Sequence, residues 1–136
     1  MKYALEVVNR KLFADSDLTA IVGTNIHYAR APVTTDWPQI IYFAVSDNVD
    51  YLIDYQKTVI QISMWSTEKY QALELFRIIK SIFREFRGIV STHYGDVDVN
   101  WTEFVDASSL PQDDNQLFGH QLRFELRTRG ENIGGL

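Results

Sequence analysis

The sequence predicts an α+β fold: a single antiparallel-dominated sheet of about four to five strands, with one long and one shorter helix packed on one face. Three observations carry that expectation. Strand-like segments follow one another directly in two pairs, which favours antiparallel pairing over crossover connections. One segment, Glu68 to Phe86, carries a broad apolar stripe at helical spacing. And 136 residues, 46% of them hydrophobic, suffice for one core but not for two.

The elements follow in order. Lys2 to Ala14 reads as a helix, because Leu5, Val8 and Leu12 share a face at spacings of three and four. Asp15-Ser16-Asp17 interrupts it and offers a new N-cap; Leu18, Ile21 and Val22 add about one more turn, which Gly23 closes. Asn25 to Tyr28 is a short extended segment. Ala29 to Pro38 is a loop, and Pro38 holds Trp37 in extended backbone. Gln39 to Val45 is a strand built on Ile40, Ile41, Tyr42 and Phe43. Ser46-Asp47-Asn48 is a turn signal, and Val49 to Tyr55 reads either as loop or as the extension of a hairpin arm. Lys57 to Trp65 alternates, with Ile60, Ile62 and Met64 on one side and Gln61 and Ser63 on the other.

Ser66-Thr67 supplies a cap for the long helix, whose stripe is Leu75, Phe76, Ile79, Ile82, Phe83 and Phe86. Gly88 is the expected C-terminal stop. A hairpin closes the chain. Val97, Val99, Trp101, Glu103 and Val105 line one side of its first strand. In the second, Leu122, Phe124 and Leu126 oppose Gln121, Arg123, Glu125 and Arg127. The polar stretch from Asp106 to Gln116 is read as the connecting loop. One domain is expected over residues 1–129, with a flexible C-terminal tail over 130–136, which has three glycines and no pattern.

The chemistry of the chain is sparse. Net charge is −5 and the pI is about 5.1. The basic-leaning stretches Arg77–Arg87 and Arg123–Arg129 are interleaved with acids and apolar residues, which argues against a phosphate backbone as a stable partner. With no cysteine, disulfides, thiolate-ligated zinc and thiol catalysis are excluded together. No stretch reaches the ~18 apolar residues of a membrane span, and the N-terminus has no signal-peptide pattern. His27, His93 and His120 lack metal-ligand spacing. Asp96-x-Asp98-x-Asn100 resembles the start of a calcium loop, but Trp101 stands where glycine is needed and no glutamate follows at the right distance, so these read as solvated turn residues. There is no phosphate-binding glycine loop and no nucleophile elbow. Neither catalytic residues, cofactor nor metal are expected.

Trp65 lies on the polar-leaning side of its strand, and Tyr42 points opposite to Ile41 and Phe43. If helices cover one face only, these rings project from the other, where they serve either an interface or packing against a loop. Trp37, Tyr42, Tyr51, Tyr55, Trp65, Asp113 and Asp114 are the candidate interface residues. Long polar excursions at Ala29–Pro38, Ser46–Gln56 and Asp106–Gln116, without a catalytic constellation, suit an assembly part.

The order of features then resembles a known family. Asp17-Leu18-Thr19-Ala20-Ile21-Val22-Gly23 is followed by Asn25-Ile26-His27-Tyr28, then by Trp37-Pro38-Gln39-Ile40-Ile41-Tyr42. The strand Val59 to Trp65 leads straight into the long helix, and Gly119 to Arg127 closes the pattern. Over nearly the whole chain this resembles the phage tail-terminator, or tail completion, proteins of siphophages, prophages and gene-transfer particles; Tyr94 to Gln116 matches least. The resemblance implies a structural virion protein and no enzyme. Its partners would be copies of itself in a ring, typically hexameric, the tail tube protein and the head connector. Genome DNA would pass through the lumen without specific binding, and no membrane is involved. An acidic protein suits such a lumen, because like charge repels phosphate. Other readings are a head–tail connector or neck protein, a tail-tube-like subunit, a small protein-binding module unrelated to phage, and an enzyme whose site only the fold assembles.

Overall fold

The computed structural model describes residues 2–30, 36–50, 55–110 and 117–130. The elements run α1 (Lys2–Ala14), α2 (Ser16–Val22), β1 (Ile26–Tyr28), β2 (Gln39–Asp50), β3 (Tyr55–Ser66), α3 (Lys69–Phe83), β4 (Gly88–Thr92), β5 (Gly95–Leu110) and β6 (Phe118–Gly130). The strands form one sheet in the order β1-β2-β3-β6-β5-β4. Only β1 and β2 are parallel; the other neighbours are antiparallel.

The helix boundaries follow local chemistry. Asp15 caps α2, its carboxylate accepting from the Leu18 N–H at 2.9 Å. Gly23 ends α2 at φ 59°, a conformation that costs a glycine little. The start of α3 is organised by Ser66, at the end of β3. Its hydroxyl accepts from the Glu68 N–H at 3.0 Å and donates to Gln71 at 2.7 Å.

Strands β3 and β6 turn Ile60, Ile62, Met64, Leu122, Phe124 and Leu126 toward the helices, and all six are buried. Ala4, Val7, Val8 and Leu12 of α1 and Leu75, Ile79 and Phe83 of α3 cover them. The Phe83 and Phe124 rings stack at 4.6 Å between centroids. Helix α1 touches β3, β6 and β4. Tyr28 of β1 and Tyr94 of the β4–β5 turn line one cleft over it, although β1 and β4 are opposite edges of the sheet. The sheet is therefore curled around α1.

Several expectations need correction. Among the described residues there are six strands, not four or five, and three helices. Strand β4 was missing because Gly88 had been assigned to the helix end. Instead α3 stops at Phe83, Glu85 takes φ 51°, and Gly88 opens β4. The turn expected at Ser46-Asp47-Asn48 is strand, as is Asp106 to Leu110 from the expected loop. Gly130, expected in the tail, pairs with Val97 at the end of β6.

Removing the Phe124 ring should leave a cavity where α3 meets the sheet. Phe124→Ala is expected to lower unfolding free energy by about 3–5 kcal/mol. A urea titration showing a loss below ~1 kcal/mol would place the centre of the core elsewhere.

Candidate functional site

The face of the sheet that the helices leave open can be read row by row from the register. One row is Gln39, Trp65, Gly119 and Leu110; the next is Ile41, Ser63, Gln121 and Ser108. Then come Phe43, Gln61, Arg123 and Asp106, followed by Ser46, Val59, Glu125 and Glu103, and by Asn48, Lys57, Arg127 and Trp101.

Its charges are tied down locally. Arg123 Nε donates to Gln61 Oε1 at 2.9 Å and its Nη1 lies 3.9 Å from Asp106. Arg127 Nε reaches Glu125 at 3.4 Å. Glu103 stands directly opposite Glu125, an unfavourable pairing of like charges. Arg127 on Glu125, and the Trp101 indole N–H donating to Glu103 at 3.2 Å, offset it. Arg87 and Arg127 also lie over the Trp101 ring, at 4.9 and 5.7 Å. Tyr55 reaches past β6 and donates to Asp98 at 2.6 Å; this bond, which the phenolate could not donate, pushes its hydroxyl pKa up.

Trp101 was expected beside Val97 and Val99. A bulge between Val99 and Trp101 adds one residue, so parity flips and Trp101 turns to the open face while Thr102 and Phe104 turn inward. Tyr42 is the opposite correction. It does point away from Ile41 and Phe43, but the helices cover its side. It is buried, its hydroxyl accepts from Asn9 of α1 at 3.0 Å, and burial raises its pKa. A half-buried Ile41 and Phe43 take the open face instead.

Of the other candidate interface residues, Trp37 is exposed and precedes Pro38 through a cis peptide. Asn25 donates to the carbonyls of Asp36 and Pro38 and so ties this segment to β1. Trp65 is half-buried, its ring lying flat over Gly119; a Cβ there would fall 2.6 Å from two ring carbons. Tyr51, Asp113 and Asp114 lie outside the described residues.

The outermost strands β1 and β4 are short and cover only part of β2 and β5. Strand β1 covers β2 at Ile40–Tyr42 and β4 covers β5 at Gly95–Val99. Beyond these, among the described residues, the outer sides of β2 from Phe43 and of β5 from Asn100 have no strand partner. A groove of about 830 Å³ runs where the end of α3 meets β5, lined by Arg84, Glu85, Arg87, Trp101, Thr102, Glu103 and Phe104.

The histidines stay apart. His27 meets Asn25, His93 meets the Tyr94 ring, and His120 packs on Phe76. Among the described residues no three His, Asp or Glu side chains gather in metal-binding geometry, and no helix is long and apolar enough to cross a membrane.

Fold and site together define a small α+β subunit with one helix-covered face, one polar open face and two partly unpaired edges. The family of tail completion protein gp17 matches residues 6–129, and the chain belongs to it. It is a structural protein of the phage tail, located in the virion. No curated protein matches the chain. Among solved structures, it is similar to a chain of the "Virion of native gene transfer agent (GTA) particle". That likeness has a TM-score of 0.65 at 18% identity and covers 90% of this chain and 92% of the other, which shows a shared fold.

Two outcomes test this geometry. Gly119→Ala should cost about 1–3 kcal/mol by forcing the Trp65 ring aside, and most of that cost should vanish in a Trp65→Leu background. Equal costs in both backgrounds, by chemical denaturation, would refute the contact. Burial lowers the His120 pKa from its ordinary 6.5, so the unfolded chain takes up the proton first. The His120 contribution to stability is thus intact above about pH 6.5 and is lost as pH falls through the lowered native value. A His120→Gln variant should show a shallower acid-side decline in thermal midpoint.

Proposed function

We propose that this protein is the terminator of the tail tube. Copies close into a ring, most simply a hexamer, on the last disc of the tube; the ring stops polymerisation and gives the head connector its docking surface. Family membership supports the tail assignment. The observation that carries the finer reading is the partly uncovered outer sides of β2 and β5, on opposite sides of one sheet. A ring of identical subunits needs two different patches that meet head to tail, and such edges supply them.

The open face suits a wall along which DNA passes. Its arginines Arg123 and Arg127 are engaged by Gln61, Asp106 and Glu125, so phosphate meets no uncompensated cationic cluster there. Trp37, Tyr55 and Trp65 are proposed contact residues for the tube protein or the connector.

Deleting the gene from its phage or prophage and imaging the induced particles tests the role. Over-long tails beside unjoined heads are expected. Tails of normal length that fail to meet heads would indicate a neck protein, and intact infectious particles would exclude a tail role.

A further inference from the structure

Helix α3 buries Ala72, Leu75, Ile79 and Phe83 against the rest of the fold. Its other side is more than a plain polar face. Leu73, Phe76, Arg77, Lys80, Ser81 and Arg84, the last being the residue that ends the helix, line an open hollow of about 410 Å³. Leu73, Phe76 and Lys80 are half-buried, while Arg77, Ser81 and Arg84 are exposed. The hollow thus joins an apolar patch to three positive charges. Glu74 and Glu85, the acidic residues nearest in sequence, do not line it.

Other cations of the chain are engaged internally. Arg10, Arg123 and Arg127 lie beside carboxylates, and Lys2, Lys11 and Arg87 lie over aromatic rings. Arg77, Lys80 and Arg84 have no carboxylate within ion-pair distance among the described residues. Lys80 has only a ring beneath it, with its Nζ 5.9 Å from the Phe76 centroid. Spacings of three and four place the three cations on one side of the helix, within about 10 Å along its axis, where like charges repel. The helix dipole favours Lys80 and Arg84 at the C-terminal end. It gives no reason for Arg77, more than one turn earlier, or for Leu73 and Phe76 in the same hollow.

We infer that this face of α3 docks an acidic segment of a different protein, with carboxylates on Arg77, Lys80 and Arg84 and an apolar side chain on Leu73 and Phe76. Charge complementarity selects the occupant: three unpaired cations meet no acid of their own, and a partner's carboxylates relieve their mutual repulsion. A nucleic-acid backbone fits the face less well. Three cations on one short stretch do not offset a net charge of −5 along a duplex, and the apolar patch gives phosphate no contact. The inference goes beyond the terminator reading and does not depend on it, because α3 lies on neither the open face nor a strand edge.

Fluorescence anisotropy on the purified full chain tests it with three labelled probes: a short peptide of Glu-Glu-Leu repeats, the same peptide with Gln for Glu, and a short DNA duplex. The Glu peptide should bind, and more weakly as salt is raised. The double variant Arg77→Gln/Lys80→Gln, with unchanged circular dichroism, should weaken it about tenfold. Lys2→Gln/Arg30→Gln removes as much positive charge elsewhere and should bind as the wild type does. Leu73→Ser should weaken binding without changing its salt dependence. Equal losses in the two double variants overturn the inference, because net charge alone would then explain the attraction. So does a Gln peptide that binds as tightly as the Glu peptide, a duplex that binds more tightly than either, or no binding of any probe. Sedimentation velocity covers the remaining occupant. If Arg77→Gln/Lys80→Gln alone lowers the mass of the protein's own assembly, a second copy covers this face and the inference fails. The tail role is decided separately by the particle images.

Discussion

The packing of two helices onto one face of β3 and β6 is the contact on which the other features rest. Those strands place six apolar side chains on a single side, where α1 and α3 remove them from water. Because α1 also reaches β4, the sheet has to bend to keep that helix in contact with its outer strands. Curling closes one face around the core, and among the described residues no helix covers the other face. Burial on one side thus determines where polar side chains, aromatic rings and strand edges are available for anything else.

The open face is held in shape by its own side chains. Two bulges in β5 shift the parity of the strand. The first carries Trp101 out of the core side and sets it between Arg87 and Arg127. Without that extra residue, Trp101 would turn to the helix-covered side and Thr102 to the open face. The arginines of β6 are then engaged by Gln61 and Asp106 of the neighbouring strands and by Glu125 of β6 itself, which fixes their forks and lowers their availability to other anions. Cations not compensated in this way stand on α3, beside an open edge.

The proposed role would divide the small surface of this protein among a ring neighbour, a tube and a connector. The edges and the open face divide it by geometry: strand edges face sideways, the sheet face looks across, and α3 lies on the remaining side. The likeness to a gene transfer agent virion chain at 18% identity shows how few residues the architecture itself requires. An apolar stripe on two helices and alternation along the central strands can be met by many sequences.

The sequence by itself determined the element types wherever periodicity was unbroken. Leu75, Ile79 and Phe83 read as a helix face, and Leu122, Phe124 and Leu126 as a strand face, because burial on one side imposes a repeat. It also carried the order of features by which the tail completion family was legible. The run Ile89-Val90-Ser91-Thr92 held a strand signal, but it was lost because Gly88 fits a helix stop as well as a strand start. Tertiary structure alone decided which face of β2 the helices cover, and so buried Tyr42. It also decided parity after a bulge, since one inserted residue exchanges the faces of everything beyond it and leaves no mark in composition. The free edges depend on it in the same way: whether a strand is covered is a property of its neighbour's length, which no residue in the strand records.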